Sequence, residues 1–89
     1  MIEEKVIICN KLGLHARAAA KLVGVASEFA ANIEIEKDNK RVNGKSIMGV
    51  MMLAASKGSE ITMYVDGDDA NEAVMKLKNL VLDRFGEDE

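Results

Sequence analysis

The stretch Val6-Ile7-Ile8-Cys9-Asn10-Lys11-Leu12-Gly13-Leu14-His15-Ala16-Arg17-Ala18-Ala19-Ala20-Lys21-Leu22-Val23 changes its period part-way along, and that change decides the fold. Val6 to Cys9 is apolar and largely β-branched, the composition of a first strand, and Asn10 to Gly13 is turn chemistry that ends it. Beyond the turn, Ala19, Leu22, Val23, Ala26 and Phe29 fall at steps of three and four, which predicts an amphipathic helix from about Ala16. The only histidine, His15, therefore stands at the N-terminal edge of a helix, with Arg17 in the same first turn.

The rest of the chain alternates the two periods. Ile33 and Ile35 against Glu34 and Glu36 mark a strand over Asn32 to Lys37, and Asp38-Asn39 turns it into a short strand around Arg41-Val42. Ser46 is a good N-cap for the apolar segment Ile47 to Leu53, with Gly58 as its matching stop signal. Ile61, Met63 and Val65 alternate with Thr62, Tyr64 and Asp66 in a fourth strand, after which Asp66-Gly67-Asp68-Asp69 supplies turn and cap residues. Ala70, Ala73, Val74, Leu77, Leu80 and Val81 form the stripe of a last helix ending near Phe85-Gly86, and the acidic tail Glu87-Asp88-Glu89 is expected to fray. The order strand, helix, strand, strand, helix, strand, helix is α+β, most simply one antiparallel sheet with its helices on a single face.

Composition narrows the function classes. A chain of 89 residues with 48% apolar content supports one domain, residues 1–89, and no large enclosed active site. The net charge is −3 and basic residues are interspersed with acidic ones, which argues against a nucleic-acid stripe; Phe29, Tyr64 and Phe85 are too few for a base-stacking platform. Cys9, the only cysteine, excludes an internal disulfide and reads as a small buried hydrophobe in a reducing compartment. The N-terminus lacks the basic and long apolar regions of a secretion signal, and no segment is long enough to span a membrane, so a cytoplasmic domain without membrane insertion is expected. Asp66, Asp68 and Asp69 resemble a fragment of a calcium loop, but the spacing is incomplete; no metal and no cofactor are expected.

The chemistry concentrates at the first helix. A neutral imidazole has a free ring lone pair and can attack phosphorus without a base to deprotonate it first. Unpaired backbone N–H groups at a helix start, here Ala16 and Arg17, suit phosphoryl oxygens, and the Arg17 guanidinium adds a planar charged donor. The plainer alternatives, a histidine that caps its helix and a solvated arginine, stay open on the local pattern.

Gly13-Leu14-His15-Ala16-Arg17 together with Lys45-Ser46-Ile47-Met48-Gly49-Val50-Met51 resembles the HPr family of histidine phosphocarriers of the phosphoenolpyruvate-dependent phosphotransferase system, over essentially the whole chain. The resemblance implies an open-faced sandwich, a four-stranded antiparallel sheet covered on one face by three helices. It also implies a monomeric carrier, not an enzyme, in which His15 accepts a phosphoryl group on Nδ1 from phosphorylated enzyme I, Arg17 contacts the phosphate, and enzyme II A domains receive the group. Sugar uptake is the implied setting, with a nitrogen-related phosphorelay or a mainly regulatory binding role as alternatives. Ser46 matches a regulatory phosphorylation position, which would bring a kinase or phosphatase and a transcription regulator as partners. Ile47, Met48 and Met51 match the apolar docking patch, while Val50 and Leu53 are expected in the core. The chain departs from the family at Ala18, where proline is usual.

Overall fold

A computed structural model describes residues 1–89. Its elements are β1 (Ile2–Ile7), α1 (Ala16–Ala26), β2 (Asn32–Lys37), β3 (Lys40–Asn43), α2 (Ile47–Met52), β4 (Glu60–Asp66) and α3 (Ala70–Leu82), followed by a 3-10 turn over Arg84–Gly86. The strands form one sheet in the order β1-β4-β2-β3, every pair antiparallel, with Val6 opposite Ile61 and Ile35 opposite both Val42 and Met63. The expected open-faced sandwich is present.

Alternation sorts the two faces of the sheet. Val6, Ile33, Ile35, Ile61, Met63 and Val65 point inward and are buried against Ala19, Leu22, Val50, Leu77 and Val81 of the helices. On the open face Arg41 lies 3.7 Å from the Tyr64 ring centroid, and the Tyr64 hydroxyl donates to Glu36 at 2.6 Å. The β2–β3 hairpin turns through Asp38 (φ 51°) and Asn39 (φ 69°), two left-handed residues in succession, as a tight hairpin with right-handed strand twist requires.

The structure corrects several local expectations. The first strand runs over Ile2–Ile7 rather than Val6 to Cys9, because pairing with β4 draws in Ile2 and the charged Glu3, Glu4 and Lys5. Cys9 lies outside the strand, only half buried, and its Sγ donates to the Val81 carbonyl at 3.2 Å. The second helix does not stop at Gly58. It ends at Met52, the chain passes through left-handed Ala54 (φ 51°), and Gly58 donates its N–H to Ile8 O at 2.7 Å where the loop enters β4. Asp69 precedes α3 but does not cap it; its carboxylate instead accepts from the Ala30 and Ala31 N–H groups at 2.8 and 2.9 Å, fastening the segment after α1.

The acidic tail is not frayed. Phe85, wholly buried, seats the 3-10 turn on the core, and Lys21 of α1 donates to the Phe85 carbonyl at 2.6 Å. Past that anchor the chain runs beside the Asn10–Gly13 turn, where the Lys11 N–H donates to Glu89 O at 2.9 Å.

Candidate functional site

The site begins with a turn that only glycine fits. Gly13 has φ 65°, and a Cβ there would collide with the Ala55 carbonyl oxygen and lie 2.8 Å from Ser56 Cα. That same Ala55 carbonyl accepts from the Leu14 N–H at 2.8 Å, so the loop after α2 holds the entrance to α1 in place. Left-handed strain and a backbone clash together should make Gly13→Ala cost roughly 2–5 kcal/mol in a denaturant titration. A loss under about 0.5 kcal/mol would show that the turn relaxes freely.

His15 is the N-cap residue of α1, with extended φ −71° and ψ 178°, and its carbonyl accepts the first helical bond, from Ala19 at 2.8 Å. Its side chain makes no capping hydrogen bond, so the plain capping alternative for the ring falls. The ring turns to the tail, where Nε2 lies 2.6 Å from Glu87 Oε2, and Nδ1 has no hydrogen-bond partner. The His15 side chain remains 28% exposed while that of Glu87 is 14% exposed, so the imidazole is reachable and its carboxylate partner is largely covered.

Behind Glu87 stands Asn10, wholly buried. Its Nδ2 donates to Gly13 O at 2.9 Å and to Glu87 Oε1 at 3.0 Å. The Asn10 hydrogen bond first, and the His15 contact second, hold the Glu87 carboxyl below the usual carboxylate range, against partial desolvation that pushes it up. Glu87 is therefore an anion at neutral pH, an acceptor only.

Ala16 and Arg17 are exposed, and their N–H groups at the start of α1 have no partner within the chain. Arg17 lines an open cleft with His15, Lys11, Leu12, Glu87 and Glu89. Ala18, by contrast, is wholly buried, and its N–H finds no acceptor; a proline has no N–H to leave unpaired at that position.

The second motif lies at α2. Ser46 caps it, Oγ accepting from the Gly49 N–H at 3.1 Å. Ile47, Met48 and Met51 are exposed, Met48 to 75%, whereas Val50 and Leu53 are buried as expected. Two further apolar side chains are exposed here that the sequence reading passed over, Met52 on α2 and Leu12 beside His15. Glu87 and Asn10 were also missed: one sits in an acidic tail and the other in a turn, and neither position carries a local sign of the other.

A family model described as "PTS HPr component phosphorylation site" matches residues 2–83, nearly the whole chain. The chain belongs to the HPr family. It is 50% identical over 88 residues to the phosphocarrier protein HPr of Xylella fastidiosa, with 99% of both chains covered. It is also 48% identical over 77 residues to the HPr-like protein Crh of Bacillus subtilis, covering 86% of this chain and 91% of that one. Among solved structures it is similar to HPr-C-His from Thermoanaerobacter tengcongensis, with a TM-score of 0.96, 48% identity and both chains covered in full. No helix of this HPr-family chain is long and apolar enough to cross a membrane.

Proposed function

We propose that this chain is a stoichiometric phosphoryl carrier rather than an enzyme. His15 takes a phosphoryl group on Nδ1 from phosphorylated enzyme I and hands it to a histidine of an enzyme II A domain. The observation that carries the reading is the His15 ring itself: Nε2 engaged by a carboxylate, Nδ1 unpartnered, and the exposed N–H groups of Ala16 and Arg17 beside it. The Arg17 guanidinium lines the same cleft and supplies a charged donor to phosphoryl oxygens arriving there. One domain over residues 1–89 holds all these groups, so a monomer suffices, and sugar uptake in the cytoplasm is the setting we assign to the relay.

Docking falls to the exposed Ile47, Met48 and Met51, with Met52 extending the patch. Flexible thioethers repack against different surfaces, which suits a carrier that meets a donor and then several acceptors. Incubation with enzyme I and phosphoenolpyruvate should add one acid-labile phosphoryl group, located on the His15 ring. Failure to take up phosphate from a competent enzyme I would overturn the reading.

A second, regulatory mode centres on Ser46, which caps α2 at the edge of the exposed patch. A phosphate on its hydroxyl would set about −1.5 to −2 charges beside exposed Ile47 and Met48, changing the patch from apolar to anionic at its edge. A cognate kinase with ATP should modify the folded protein and leave Ser46→Ala unlabelled. Inertness of the folded protein toward that kinase removes the regulatory mode and leaves the carrier reading intact.

A further inference from the structure

We propose that Glu87, held by Asn10, is a positioning residue that keeps the His15 ring proton on Nε2 and so presents Nδ1 as the nucleophile. This rests on the carrier reading, but it concerns a part of the molecule beyond the stretch matched by the family model, in a tail whose sequence suggested only solvent exposure.

The argument is one of donors and acceptors. Asn10 is wholly buried, and Gly13 O lies 2.9 Å from one amide position with Glu87 Oε1 3.0 Å from it. Both neighbours accept, so the amide must face them with its NH2 group; the reverse orientation would set an oxygen against two acceptors. Its own Oδ1 is thereby left buried without a partner, a cost the fold tolerates at this one side chain. The Asn10 donors fix the Glu87 carboxylate, and its other oxygen meets His15 Nε2 at 2.6 Å, short for a charge-assisted bond. A carboxylate cannot donate, so the ring nitrogen facing it must carry the proton. The lone pair of a neutral ring then resides on Nδ1, which has no partner in the chain.

The same contact serves the transfer step. As the Nδ1 lone pair forms a bond to phosphorus, the N–P bond of the donor's phosphohistidine breaks and its electron pair returns to the donor ring. The Nε2 proton stays in its bond to Glu87, and the positive charge that the phosphorylated ring acquires is paired with the carboxylate. Onward transfer reverses the step: the bond from Nδ1 to phosphorus breaks, its pair returns to the ring, and the neutral Nε2–H form is restored. Lys11 and Arg17 are the cations lining the cleft, Lys11 lying 3.4 Å from Glu89, and Lys21, on α1 with Arg17, is tied to Phe85 O.

Glu87→Gln and Glu87→Ala separate this role from simple tail docking. In Glu87→Gln the Asn10 donors require the new amide oxygen, which turns the amide NH2 toward Nε2 and drives the ring proton to Nδ1. Nitrogen-15 shifts of the His15 ring, read where the imidazole is neutral, should show Nε2–H in the parent protein, Nδ1–H in Glu87→Gln, and a mixture in Glu87→Ala. The initial rate of phosphoryl uptake should fall on the order of 10–100-fold in Glu87→Gln and less in Glu87→Ala, although glutamine is the closer match in shape. An Nδ1–H ring in the parent protein would overturn the inference, as would a glutamine variant with unchanged ring shifts or a rate within about twofold of the parent. The ring shifts need no partner protein, so a parent chain that accepts no phosphate would sink the carrier reading while the tautomer assignment is still decided.

Discussion

His15→Ala is expected to abolish phosphoryl uptake altogether, not merely slow it. A carrier's covalent bond is made to one atom, and the chain has no second imidazole to substitute for it. Arg17 and the free N–H groups of α1 would still offer hydrogen-bond donors, but they have no nucleophilic lone pair to offer. The fold should survive: the ring is partly exposed and lies outside the buried core, and the His15 carbonyl that accepts from Ala19 is main chain. The measurement is acid-labile phosphate per chain after incubation with enzyme I and phosphoenolpyruvate, with circular dichroism as the check on folding. Undiminished labelling of a folded His15→Ala protein would move the acceptor elsewhere and end the carrier assignment at this residue.

Phe85→Ala should produce the largest stability loss of any single truncation near the site. Phe85 heads the wholly buried side chains by volume, and it belongs to a single 3-10 turn after α3 rather than to a long element. Loss of its ring should cost about 3–5 kcal/mol, a large share of the roughly 5–15 kcal/mol that holds a domain folded. In a chain of this length that lowers the melting midpoint by at least about 12 °C. The backbone at residue 85 is left-handed (φ 55°) before and after the change, so the effect reports the lost side chain rather than relieved strain. Because the same turn presents its carbonyl to Lys21 and leads into Glu87, the His15 ring shifts should also move toward those of Glu87→Ala. A loss below about 1 kcal/mol would mean that the tail is seated by its polar contacts alone.

Ser46 and Asp69 show how far local chemistry could be read. Both stand before helices and both have capping side chains. Ser46 accepts from its own helix at Gly49, as its position predicts, but Asp69 spends both oxygens on Ala30 and Ala31, which are distant in sequence. A cap preference weighs the near partner only, and a pair of free N–H groups brought alongside by the fold outcompetes it. Glu3, Glu4 and Lys5 make the same point for strands: their charge argues against a strand, yet the partner β4 supplies the hydrogen bonds that recruit them.

What the sequence determined by itself is the set of local periods and the position of its one histidine at the start of a helix. Alternating Ile33 and Ile35, the helical stripe through Leu22, the hairpin turn at Asp38-Asn39 and the glycine before His15 act within a few residues, so the order of elements and the histidine at the head of α1 are written in the chain. Only the tertiary structure decided which nitrogen of that histidine is free. His15 and Glu87 meet across 72 positions, and Asn10 and Glu87 across 77, separations at which no periodicity or capping rule operates. The contact exists because Phe85 is driven into the core and drags the polar tail after it, setting a carboxylate against the ring where the sequence offered only a loose acidic end.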